Sequence, residues 1–140
     1  MTAMEDKFET IIAHCLQETS ADPVANALRL MADPAISMHG PEHHLLDGAA
    51  LLTAYHNAGG RFDLRKALLE LKERASLMPG ATCGYWGVCG SAASVGAFES
   101  VPSTSGATRD HTSSHNCAVW KSRLARFRAA RFAETVSRAA

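Results

Sequence analysis

The stretch Cys83-Gly84-Tyr85-Trp86-Gly87-Val88-Cys89-Gly90 places two thiols six positions apart among three glycines. Glycine reaches backbone angles closed to other residues, so Gly84, Gly87 and Gly90 would let the chain bend tightly here. Thiolates are soft ligands for zinc and iron, and they are also the nucleophiles of disulfide exchange. Three readings stay open. The pair can be metal ligands, a redox couple in which Cys89 attacks and Cys83 resolves, or small side chains packed in a turn. Cys-x5-Cys is not the Cys-x2-Cys of zinc knuckles or thioredoxin-like centres. Iron–sulfur sites accept varied spacings, because loop amides bond the cluster sulfurs. A helix opening at Cys89 or Gly90 would set the Cys89 thiol at the positive end of a macrodipole.

Upstream, Pro41-Glu42-His43-His44 offers imidazoles that would complete a site. Neighbouring residues on a helix point about 100° apart, so one of His43 and His44 is expected to face inward. Glu42 or Asp47 would orient that ring, as carboxylates behind ligating histidines do. Otherwise one histidine bonds a backbone carbonyl at the helix start and the other is solvated. His39 is a further possible ligand. The expected metal ligands are therefore Cys83, Cys89 and His43 or His44. Tyr85 and Trp86 would shield a site, stack on a planar ligand or anchor the loop in the core. His111, His115 and Cys117 form a second grouping, in a polar stretch where such clusters arise by chance.

The elements that must position these residues read as helices. Thr2-Ala3-Met4-Glu5 has capping-box form, and Phe8, Ile11, Ile12, Cys15 and Leu16 follow at helical spacing. Cys15 reads as a core residue and His14 as a solvated neighbour of that face. Asp22-Pro23 starts a short helix through Leu28, Leu30 and Met31 that Asp33-Pro34 ends. Residues 36–41 read as a loop. A longer helix runs from Glu42 through Leu45, Leu46, Ala49, Leu52 and Tyr55 to the stop Asn57-Ala58-Gly59-Gly60. Asp63 caps the next, whose buried stripe is Leu64, Ala67, Leu68, Leu71 and Ala75, and Pro79-Gly80 ends it. Residues 90–98 are rich in small side chains, as suits a helix lying close to a neighbour. No period-two pattern persists. The fold class is therefore all-α, a bundle of about five or six helices.

At 140 residues and 46% hydrophobic, the chain suits one globular domain. No apolar run approaches the roughly 18 residues needed to span a bilayer, so no membrane is expected. The acidic N-terminus lacks an apolar signal core, which points to the cytoplasm and to reduced thiols. Residues 1–100 carry 7 Lys/Arg against 12 Asp/Glu, a balance of −5, and residues 101–140 carry 7 against 2, a balance of +5. Residues 1–100 thus read as a helical domain carrying both motifs, and residues 101–140 as a Ser/Thr-rich linker and basic tail. Trp120, Leu124 and Phe127 would form the apolar side of a basic helix there. Nucleic acid is not expected as a partner, since no recognised binding fold accompanies the charge.

Three motifs in order, Met38-His39-Gly40-Pro41-Glu42-His43-His44, Tyr55-His56-Asn57-Ala58-Gly59-Gly60 and residues 83–92, resemble an uncharacterised domain family of anaerobic bacteria and archaea. Its members are sometimes joined to methyltransferase or radical-SAM modules, and the resemblance covers roughly residues 25–100. It implies a small, mainly helical domain whose His-His and Cys-Gly elements meet in one pocket, and it implies no particular reaction. Members continue to a motif with paired cysteines. Here Gly106-Ala107-Thr108 leads instead into Arg109-Asp110, and no paired cysteine follows. The Ser/Arg/Ala composition after that point is what a frameshifted tail from a GC-rich gene would give. The expected function is an accessory domain binding zinc or an iron–sulfur cluster in anaerobic redox or methyl-transfer metabolism, with a methyltransferase or radical-SAM protein as partner. The alternatives are a thiol oxidoreductase and a non-enzymatic interaction module.

Overall fold

The computed structural model describes residues 3–101, which form six helices and, among these residues, no strand. Helix α1 spans Ala3–Gln17, α2 Pro23–Met31, α3 His43–Asn57, α4 Leu64–Ser76, α5 Thr82–Trp86 and α6 Gly90–Ser100. Chain contacts divide the protein into two units, Met1–Pro102 and Ser103–Ala140. The expected linker, basic helix and atypical tail and the His111/His115/Cys117 grouping lie outside the described residues, as does Thr2 of the capping box.

The local start signals act as their chemistry requires. Asp22 accepts hydrogen bonds from the Val24 and Ala25 amides at 2.9 and 3.2 Å, with Pro23 at the first helical position. Asp63 accepts from the Lys66 amide at 3.0 Å. Helix α3 ends where Gly59 turns into the left-handed region at φ 106°.

Helix α3 is the centre of the bundle and packs against α1, α2, α4 and α6. Leu45, Leu46, Ala49, Ala50, Leu52 and Ala54 are all buried, so α3 is apolar on nearly every side. Phe8, Ile11, Ile12 and Cys15 of α1 meet Leu68 and Leu71 of α4 in the same core. Each large aliphatic side chain buried there contributes about 1.5–3 kcal/mol. Leu30 of α2 is buried, while Leu28 and Met31 stay exposed on its outer side. Helix α6 comes closest to α3. A Cβ on Gly48 would lie 2.7 Å from the Ser94 carbonyl oxygen, and the Gly48 amide donates to Ser94 Oγ at 2.9 Å. No described helix is long and apolar enough to cross a membrane.

Candidate functional site

The loop entering α3 is held from below by Glu42. Its carboxylate does not cap the helix. It turns back instead, with Oε1 2.7 Å from Lys7 Nζ and accepting from the Ser37 amide at 2.8 Å. Glu42 is fully buried, and a Cβ on Gly40 would lie 2.2 Å from its Oε2, so only glycine leaves room for this packing. Burial pushes the Glu42 pKa up. The Lys7 ammonium and the amides of Glu42 and Ser37 outweigh it and bring the value down to about 2.

With the loop held, the first residues of α3 point their rings apart as helical geometry demands. His44 turns inward and is buried, and His43 places Nε2 2.9 Å from the Ser37 carbonyl oxygen. Burial above all, helped by the neighbouring His43, lowers the His44 pKa despite a hydrogen bond to the Met78 backbone carbonyl and the charge on Glu42. The neutral ring is the metal-binding form of histidine. The expected carboxylate support is not the arrangement found. Glu42 faces Lys7, and Asp47 accepts a hydrogen bond from Ser91 Oγ, which ties the first turn of α6 to α3.

The cysteine stretch contains a short helix where the sequence suggests only a loop. Ala81 and Gly87 both take left-handed conformations, at φ 62° and 68°, one on each side of α5. Cys83 lies within α5, and Cys89 is the residue before α6, in the place expected from the sequence. Both thiols are exposed, which overturns the packed-turn reading, whereas Cys15 is buried in the core as expected. Tyr85 and Trp86 do not anchor the loop either, being 87% and 65% exposed. Of the three loop glycines, Gly87 uses the left-handed freedom, and Gly90 is the one that must be small. A Cβ there would lie 2.0 Å from His44 Cδ2.

Between these loops lies a cavity of about 390 Å³ whose lining includes His39, His43 and His44 together with Cys83, Cys89 and Ser91. His44 also borders a second cavity of about 340 Å³, lined by Phe8, Pro41 and Met78. The two motifs therefore meet around one space. Thiol and imidazole together suit zinc or iron. Yet among the described residues no three His, Cys, Asp or Glu side chains are arranged to hold a metal ion. The donor chemistry fits such a group, but the arrangement does not close around one.

Sequence reasoning missed Lys7, Ser37 and Ser91. Each acts on a residue at least five positions away, at Glu42 or Asp47, and no spacing pattern announces such a contact.

Fold and site define a helical domain with a cavity walled by histidines and cysteines. The chain belongs to DUF5714, a family of unknown function, whose model matches residues 11–133. The matched span takes in both motif loops and runs on into the C-terminal segment. No curated protein and no solved structure matches the chain.

Proposed function

We propose that the domain binds zinc or an iron–sulfur cluster in the cavity between its two motif loops. Cys83 and Cys89 supply the anchoring thiolates, and His43 or His44 an imidazole. When bound, such a group supplies redox or Lewis-acid chemistry. The chain would then serve as an accessory to anaerobic redox or methyl-transfer metabolism, beside a methyltransferase or radical-SAM partner. One observation carries the reading: the imidazoles of one motif and the thiols of the other border the same cavity.

The test is metal analysis of the full chain after anaerobic purification, with zinc titration and with reconstitution from iron and sulfide. Binding near one equivalent is expected, with affinity reduced about tenfold or more in Cys83→Ser and Cys89→Ser. Less than about a tenth of an equivalent of either metal overturns the reading. The exposure of both thiols favours a second reading as a thiol oxidoreductase. A metal-free protein whose two thiols are lost to glutathione disulfide, releasing two glutathione thiols, would support that reading instead.

A further inference from the structure

We propose that α5 is a hinged lid, and that the site is completed when this lid swings towards His43 and His44 and carries Cys83 and Trp86 over the cavity. The proposal rests on the metal-binding reading above and explains why the donors share a cavity without forming a closed set.

Four observations support it. The first is a pair of hinges. Ala81 and Gly87 bracket the five-residue helix α5 in left-handed conformations. For alanine that conformation crowds Cβ against the following carbonyl, and strain of this kind concentrates at switches. Ala81 is thus loaded to leave its present angle. The second is the open space around the segment among the described residues. A Cβ built on Gly80, Gly84 or Gly87 would meet nothing within 4 Å.

The third is the apolar surface the segment displays. Tyr85 and Trp86 stand in solvent, and swinging α5 inward removes part of that surface from water. The fourth is that the surroundings are fixed. Lys7 and Ser37 hold the histidine loop through Glu42, and Ser91 holds the start of α6 through Asp47. Rotation about residues 81 and 87 therefore moves Cys83 while leaving Cys89 and the imidazoles in place. A single moving thiol then supplies the donor that the open arrangement lacks.

The test uses the full chain with Trp120→Phe, which leaves Trp86 as the only tryptophan. Zinc is the probe, and its binding is measured separately by competition with a coloured chelator. As zinc binds, Trp86 emission should shift to shorter wavelength and acrylamide quenching should fall about twofold. Ala81→Gly relaxes the open state, so it should weaken zinc binding about three- to tenfold. Zinc binding with unchanged Trp86 emission and quenching overturns the lid and leaves the metal reading standing.

If zinc does not bind, a metal-free measurement decides. Met38 lines the same cavity, so in Met38→Cys, Cys89→Ser protein glutathione disulfide should oxidise the new thiol and Cys83 to a 38–83 disulfide, with release of two glutathione thiols, and peptide mass spectrometry maps the product. Adding Ala81→Gly should slow this step. No 38–83 disulfide, or a rate insensitive to Ala81→Gly, overturns the proposal.

Discussion

Gly90 lies directly against the imidazole of His44, so that a Cβ at position 90 would fall 2.0 Å from Cδ2 and 2.2 Å from Nε2. This contact joins the cysteine motif to the histidine motif, because Gly90 follows Cys89 and His44 lies in the first turn of α3. It also keeps His44 out of water, which is the main reason its pKa is lowered. Gly90→Ala must displace the ring or the start of α6, and overpacking of this kind costs about 1–3 kcal/mol. Urea unfolding measures that loss. NMR titration of the same variant should show His44 returning towards the ordinary histidine range as its ring gains solvent. Wild-type stability together with an unmoved titration would contradict the contact.

The carboxylate of Glu42 binds Lys7, 35 positions earlier in the chain, and fixes the loop that carries His39 and leads into His43 at the start of α3. Its folded pKa, about 2, lies below the ordinary value of 4.5. A depressed carboxylate pKa gives stability that is fully present above the unfolded value and lost as pH falls through the folded one. Acid unfolding should therefore steepen between about pH 4.5 and 2, and Glu42→Gln should flatten that limb. Lys7→Met leaves the buried charge without its cation and should cost about 3 kcal/mol at neutral pH. Equal acid limbs for wild type and Glu42→Gln would refute the assignment.

The Cys15 thiol is held to a pKa of about 11, against an ordinary 9.0. Burial is the main cause, and the nearby charge of Glu18 adds to it, while a hydrogen bond with Thr53 opposes both. A thiol raised in the folded state stabilises fully below its unfolded pKa and loses that contribution as pH rises through the folded value. Stability should fall between about pH 9 and 11, by roughly 2–3 kcal/mol at full extent, and Cys15→Ala should remove this dependence. Iodoacetamide at mild pH should label Cys83 and Cys89 readily and Cys15 only on unfolding. Peptide mass spectrometry reads both results, and rapid labelling of Cys15 in folded protein would count against its burial.

The departures from expectation have physical causes. Helix α5 is invisible to pattern reading because five residues containing a glycine carry no stripe, and its limits come from left-handed residues rather than polar caps. Tyr85 and Trp86 belong to residue types that usually lie inside, yet this short segment touches too little of the bundle to cover them. Asp47 stands one helical turn from His43, a spacing that suggests carboxylate support for an imidazole. Ser91 occupies it instead, because α6 packs across α3 at that point.

By itself the sequence determined the all-α class, the starts at Asp22 and Asp63, the stop at Gly59 and the burial of Cys15. Each of these depends on spacing or capping within one helix, where the hydrogen-bonded turn relates residues three or four positions apart. Only the tertiary structure decided that His44 rather than His43 turns inward, that Glu42 reaches Lys7 and that Gly40 and Gly90 must lack side chains. It also decided that the thiols and imidazoles border one cavity. These outcomes depend on how closely separate helices approach, and that distance is set by the packing of the whole core around α3.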